Sequence, residues 1–227
     1  MTAKVTEALE RIKSLEIFKD SELYFIGGTA LSYYLDHRIS EDIDIISIKP
    51  LPHKKIISII TKIGGEKLRD ENAVALRMAG LVPDEYMLKF NLDGVKLEFF
   101  RASTPLQTKT LLDAQMSKYL EANLSILDVK SIAKLKVIAL LSRNKSRDLF
   151  DFKVILEKAI LSKEEILDIT VQTKHKISTF ESLYVFITKV EEAKDDEKVY
   201  LDENKPINLD FDEIKIEALK ALKNIIG

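Results

Sequence analysis

Two aspartates, Asp42 and Asp44, flank Ile43 in a β-branched run that continues through Ile45, Ile46 and Ile48 to Pro50. On an extended strand, residues two apart share a face, so both carboxylates project side by side while Ile43 points into a core. Two like charges on one sheet face repel, and the arrangement is costly unless a cation lies between them. Mg²⁺, or Mn²⁺ in its place, suits such a pair: it takes oxygen ligands, uses one or two carboxylates, and fills its shell with water and substrate phosphates. Taken alone, the pair is equally a set of surface aspartates at a strand start. A second feature stands upstream. Gly27 and Gly28 close the apolar run Leu23–Ile26 and precede a short helical stretch. Without Cβ atoms their backbone can approach a phosphate closely, and the N–H groups of a helix start point at an anion. A double glycine by itself is more often a plain turn. In one strand–turn–helix–strand unit with the aspartate pair, it reads as a phosphate-and-metal site.

The elements that must position these groups follow from periodicity. Val5, Leu9, Ile12, Leu15 and Ile17 recur at helical spacing, which predicts a helix over 3–18. Leu23–Ile26 reads as a buried strand ending in the glycine turn, and Ala30–Leu35 as a short helix that Thr29 can cap. Residues 53–63 return to helical spacing and stop at Gly64-Gly65. Tyr86–Leu92 and Val95–Arg101 flank Asp93-Gly94, a favoured two-residue hairpin turn, and Val74–Met78 reads as a further strand beside the pair. After Thr104-Pro105 the texture changes, and from about Thr110 onward the pattern is nearly all helical. The expected organisation is a catalytic α/β (α+β) domain over 1–105, with a mixed sheet flanked by helices, and a helical domain over 106–227, the substrate lying in the cleft between them. The run Glu191–Lys198 reads as a solvated loop or helix end.

Composition narrows the chemistry further. The 227 residues are 46% hydrophobic and 32% charged, enough for a real core under a soluble surface. With aromatics at 7% and no Trp, a protein that stacks single-stranded bases on aromatic platforms is disfavoured. A net charge of −2 provides no overall field for nucleic acid, although a local basic groove stays possible. The absence of cysteine excludes disulfides, thiolate zinc sites and cysteine nucleophiles, and three scattered histidines (His37, His53 and His175) argue against a histidine-built metal site. No apolar run approaches the ~20 residues that span a bilayer, and the amphipathic first residues are no signal peptide, so a cytoplasmic location without membrane attachment is expected.

A second block lies downstream: Lys136 to Arg143, then Arg147, Asp148 and Asp151. On one continuous helix, the spacings of seven and four would set Lys136, Arg143 and Arg147 along a single face. Cations so placed complement triphosphate charge, with Asp148 orienting a basic partner or the incoming hydroxyl. An ordinary salt-bridged helix face has the same composition.

Together the two blocks carry a resemblance. Gly27-Gly28-Thr29-Ala30-Leu31, a short helix, and then His37-Arg38 with Ser40, Asp42 and Asp44 resemble the signature of the nucleotidyltransferase superfamily. Lys136, Arg143 and the Arg147-Asp148 to Asp151 run are similar to the pattern of the AbiEii/AbiGii-type toxins of abortive-infection and type IV toxin–antitoxin systems. The resemblance implies transfer of a nucleoside monophosphate from a nucleoside triphosphate to an acceptor hydroxyl, with Asp42, Asp44, Lys136 and Asp148 catalytic. Gly27, Gly28, Thr29, Arg38, Ser40, Lys136 and Arg143 are then expected around the nucleotide, although Thr29 is equally a helix cap and Arg38 and Ser40 equally hold the loop. Superfamily members often carry a third metal-binding carboxylate on a neighbouring strand. Glu98 is the candidate, although alternation groups it with Lys96 and Phe100 on a mixed face. The resemblance also implies an RNA acceptor such as transfer RNA and a separately encoded antitoxin. A small-molecule transferase of the antibiotic-modifying kind, a protein nucleotidyltransferase and a non-catalytic nucleotide-binding module are the alternatives.

Overall fold

Thr2 starts the first helix: its hydroxyl accepts from the Val5 N–H and its own backbone is extended, so α1 (Ala3–Ile12) begins satisfied and buries Val5, Ala8, Leu9 and Ile12. From here the computed structural model, which describes residues 1–19, 21–71, 73–143, 145–193, 199–201 and 208–226, forms two compact units. The first comprises Met1–Tyr34 and Ser40–Asp128; the second comprises Leu35–Ile39 and Val129–Gly227.

In the first unit α1 is followed by β1 (Leu23–Ile26), α2 (Gly27–Leu35), β2 (Asp42–Ser47) and α3 (His53–Lys62). Then come β3 (Glu66–Leu68), α4 (Ala73–Met78), β4 (Met87–Leu92), β5 (Val95–Arg101), α5 (Pro105–Asp113), β6 (Met116–Lys118) and β7 (Ser125–Leu127). The seven strands make one mixed sheet in the order β3-β4-β5-β2-β1-β7-β6. Among the described residues β2/β5 and β1/β7 run parallel, and the other pairs antiparallel. Alternation decides what the sheet buries: Ile43 and Ile45 on β2, Leu88, Phe90 and Leu92 on β4, and Leu97 and Phe99 on β5 are all excluded from solvent. Phe90 meets Phe99 edge-on at 6.1 Å, locking the hairpin onto its core. Asp93 and Gly94 both have positive φ, and the Gly94 N–H donates to Asn91 Oδ1 at 2.8 Å, so the hairpin turns where expected.

Three expectations need correction here. Val74–Met78 is not a strand but lies within helix α4; Ala, Leu, Arg and Met are strong helix formers, and the run lacks strict alternation. The third antiparallel strand is the shorter β3, which pairs with β4 through Glu66–Asn91 and Leu68–Lys89. Nor is the chain all helical beyond residue 110, because β7 pairs with β1 through Tyr24–Ser125 and Phe25–Ile126. Three-residue strands are too short for periodicity to reveal. Thr104-Pro105 marks a helix start: Thr104 and Gln107 form a reciprocal capping box, and α5 stays within the first unit, which closes at Asp128 rather than at residue 105.

The second unit contains α6 (Val129–Leu140), α7 (Ser146–Glu157), α8 (Lys163–Val171), α9 (Phe180–Thr188), a small ladder of β8 (Val199–Tyr200) with β9 (Asn208–Leu209), and α10 (Phe211–Ile226). Helix α10 packs on α7 and α9. The segment Leu35–Ile39 belongs to this unit, with the Ile39 N–H donating to the Tyr200 carbonyl at 2.8 Å. Of the charge run at 191–198, Glu191 and Glu192 are exposed, and residues 194–198 lie outside the described residues. Among the described residues no helix is long and apolar enough to cross a membrane.

Candidate active site

In the first unit the aspartate pair sits at the start of β2, on one face as alternation requires. Asp42 and Asp44 are half-buried on one face, and Ile43 and Ile45 are fully buried on the other. Gly27 opens α2 with φ +83°, and any Cβ placed on it would overlap the Asp44 carboxylate. The residue must therefore be glycine twice over, for its left-handed backbone and for the space that Asp44 takes. Gly28 is buried in the first turn of the same helix. The helix begins three residues earlier than the sequence suggests, so Thr29 is no cap. Its buried hydroxyl donates instead to the Asp42 carbonyl and bonds the Ser40 hydroxyl at 2.9 Å. Thr29 and Ser40 thus fix the start of β2 against α2, placing the backbone that carries the aspartates.

The strand beside β2 brings two further charges. In the parallel β2/β5 register Asp44 stands opposite Glu98 and Asp42 opposite Lys96, so all four side chains share a face. Glu98 lies where expected, but its carboxylate pairs with Lys96 Nζ at 2.9 Å. Among the described residues no group of three or more His, Asp or Glu side chains converges as a metal cage. Two carboxylates on one face fit a hard divalent ion that completes its shell with substrate oxygens and water, so Asp42 and Asp44 are the residues that could hold one. Lys96 was missed by sequence reasoning. Burial opposes its charged form, but the hydrogen bond to Glu98 and the charges of Glu98, Asp42 and Asp44 outweigh burial and raise its pKa. The only signal was its i+2 spacing to Glu98; its place opposite Asp42 depends on strand register.

The second block forms a different kind of centre, inside the second unit. Helix α6 ends at Leu140 and α7 starts at Ser146, so Lys136, Arg143 and Arg147 do not follow one continuous helix. Asp151, fully buried on α7, accepts from Arg38 Nε at 2.7 Å and Nη2 at 3.0 Å, with Lys136 Nζ at 2.8 Å and His37 Nε2 at 2.7 Å. Asp148, also buried, takes Arg143 Nε at 2.6 Å and Lys136 Nζ at 3.4 Å. Burial favours the neutral form of Asp151, yet the Arg38 and Lys136 charges and the hydrogen bonds with His37 and Arg38 hold its pKa well below the ordinary carboxylate range. Asp148 thus contacts two basic side chains, Arg143 and Lys136. Arg38 likewise does the holding: it is 4% exposed, and its guanidinium is spent on Asp151 and on the Ile39 carbonyl. Lys136 is buried between the two aspartates, whereas the Arg143 side chain is 55% exposed and reaches the surface while fixed by Asp148. Asp151, the hub, was legible only as a member of the motif.

Comparison with known proteins agrees with this fold. Residues 9–223 match the model of a family described as nucleotidyl transferase AbiEii toxin, type IV toxin–antitoxin system. An uncharacterised protein of Aquifex aeolicus is 29% identical over 198 residues, 86% of this chain and 85% of that one. Among solved structures, JHP933 from Helicobacter pylori is similar at a TM-score of 0.51 and 18% identity, over 99% of this chain and 93% of that one. MenT4, a nucleotidyltransferase toxin from Mycobacterium tuberculosis, is similar at a TM-score of 0.50 and 12% identity, over 96% of this chain and 79% of that one. At such identities the two structures speak for the fold alone.

Proposed function

From its membership of the AbiEii nucleotidyl transferase toxin family, to which this chain belongs, we propose that the protein transfers a nucleoside monophosphate from a nucleoside triphosphate to an acceptor hydroxyl. The observation that carries the proposal is the Gly27–Asp44 pair: a glycine helix start held open for a carboxylate that shares its strand face with a second one. Asp42 and Asp44 would hold Mg²⁺ or Mn²⁺, which when bound neutralises triphosphate charge and offsets the charge of the departing group. The Gly27 and Gly28 N–H groups, at the start of α2, face phosphate oxygens. Thr29 and Ser40 keep β2 in place beneath them. The acceptor oxygen forms its bond to the α-phosphorus as the bond to the bridging oxygen of the β-phosphate breaks, the hydroxyl proton is lost, and pyrophosphate leaves.

For the second unit, Lys136 and Arg143 are assigned to phosphate charge and Asp148 to fixing them, since a cation held by a buried carboxylate needs no reorganisation when an anion arrives. The acceptor class proposed is RNA, such as transfer RNA, and the biological setting is a toxin countered by a separately encoded antitoxin. Both follow from the family resemblance.

Isothermal titration with GTP, ATP, CTP and UTP, with and without Mg²⁺, tests the nucleotide site. Metal-dependent binding of at least one triphosphate, lost in Asp44→Ala, is the expected result; no metal-dependent binding to any of them refutes the proposal. Labelled nucleotide incubated with total RNA, protein extract and small molecules then identifies the acceptor. Label in a small molecule or a protein would move the activity to those transferase classes, and label in none would leave a nucleotide-binding module.

A further inference from the structure

Glu98 stands between two lysines. Lys96 Nζ lies 2.9 Å from its Oε1, and Lys89, its register partner on β4, approaches the same oxygen at 3.9 Å. Lys89 is also paired with Asp70 at 3.4 Å. The four charges therefore alternate in sign along one chain, Lys96–Glu98–Lys89–Asp70, and cancel. Their accessibility differs. The Asp70, Glu98 and Lys89 side chains are 9%, 16% and 22% exposed, whereas that of Lys96 is 42% exposed. Lys96 is the member of the chain that a solute reaches first.

What Lys96 stands beside matters as much as its reach. Asp42 is its register partner on β2, one strand spacing of about 4.8 Å away, and Asp44 stands in the same way opposite Glu98. An ordinary ion pair on a sheet surface has one partner. Lys96 has a carboxylate at hydrogen-bond distance and lies in the field of two more, which together outweigh its partial burial and raise its pKa. Those three carboxylates are also the oxygen donors that a divalent ion would seek on this face. An ammonium on Glu98 and an ion on Asp42 and Asp44 repel each other, and they compete for Glu98.

We propose that Lys96 is the resident cation of the carboxylate face: it occupies Glu98 in competition with a divalent ion, and its ammonium meets the phosphates that the ion brings to Asp42 and Asp44. The ion and the triphosphate are those of the transferase reading above, on which this inference rests. A lysine is a point charge on a flexible stem, so it can pair with phosphate oxygens that the ion does not take. The two effects have opposite signs. Without Lys96 the ion alone binds more tightly, and a phosphate chain binds less tightly. A surface ion pair with no such role changes neither.

Titration of the full chain with Mn²⁺ alone, followed by loss of the free-ion signal in electron paramagnetic resonance, reads the first effect. Removal of a unit charge from beside a divalent ion is worth about tenfold in affinity, so Lys96→Met is expected to bind Mn²⁺ that much more tightly than the wild type. Lys96→Met/Glu98→Gln is expected to lose the gain, and Lys96→Arg to stay close to the wild type. Titration with inorganic tripolyphosphate at saturating Mn²⁺ reads the second effect without the choice of a base. Here binding is expected to weaken about tenfold in Lys96→Met, the loss of one charge-assisted hydrogen bond, and to be kept by Lys96→Arg. Methionine keeps the apolar stem of a part-exposed lysine, so the melting curve is expected to stay unchanged. Absence of Mn²⁺ binding to wild type and Lys96→Met alike, or Mn²⁺ affinity unchanged or lower in Lys96→Met, would overturn the proposal. So would a gain that survives loss of Glu98, or tripolyphosphate binding indifferent to Lys96→Met. Failure of the transferase reading is a separate result: it shows in the wild type, as metal-dependent nucleoside triphosphate binding that is missing or indifferent to Asp44→Ala.

Discussion

Gly27 leaves vacant the space into which the Asp44 carboxylate projects, so the turn that opens α2 and the strand that carries the two aspartates are one sterically coupled device. A side chain at position 27 acts on the aspartate before it acts on any substrate. Gly27→Ala adds a Cβ at a backbone φ of +83°, a strain on the order of 1–3 kcal/mol, and pushes Asp44 from its place. Displacement of a reacting group by about 1 Å costs about 100-fold in rate, so activity is expected to fall by that order while the protein still folds. Steady-state kinetics alongside thermal melting check this; full activity in the variant would show that the two elements are not coupled.

Glu98 provides the second prediction. Its carboxylate is in an ion pair with Lys96 at 2.9 Å, so Glu98→Gln should keep metal-dependent triphosphate binding within a few-fold, whereas Asp42→Asn should abolish it. Titration of both variants with Mg²⁺ and nucleotide decides. Equal loss in the two would return Glu98 to the metal site.

Asp151 carries the third. Replacing it by Asn leaves Arg38 buried without its carboxylate and Lys136 with Asp148 alone, which should destabilise the protein by about 3–5 kcal/mol, read from urea denaturation at neutral pH. A loss under about 1 kcal/mol would mean that the network is weakly coupled to folding, as exposed ion pairs are.

The fourth follows from the direction of the Asp151 shift. Its folded pKa is depressed below the unfolded value of about 3.9, so the folded state binds its proton more weakly. That stabilisation is fully present above the unfolded pKa and is lost as pH falls through the folded one. The stability gap between the wild type and Asp151→Asn should be constant from about pH 5 to 7 and should narrow below about pH 4. Denaturation curves at several pH values measure it, and a gap that widens on acidification would contradict the assignment.

How far these relationships could be read in advance depended on their range along the chain. Asp42 and Asp44 are two residues apart, and strand alternation alone places them together. Asp93-Gly94 fixes its hairpin by local turn chemistry. Lys96 opposite Asp42, and Lys89 between Glu98 and Asp70, depend on strand order and register, which no local pattern encodes. Strands β6 and β7 escaped because three residues carry no period, and α4 because a short apolar run suits a helix as well as a strand. Arg38 and Asp151 lie 113 residues apart, and only the folded second unit shows that the motif's last aspartate holds the arginine of the first block.

The central claim is tested most directly by following label from nucleoside triphosphate carrying it at either the α- or the γ-phosphorus, in the presence of Mg²⁺ and total RNA. The account predicts that α-label becomes covalently attached to an acceptor with release of pyrophosphate, that γ-label does not, and that Asp44→Asn abolishes the transfer while retaining a wild-type melting curve. Attachment of γ-label, or α-label transfer undiminished in Asp44→Asn, would contradict it.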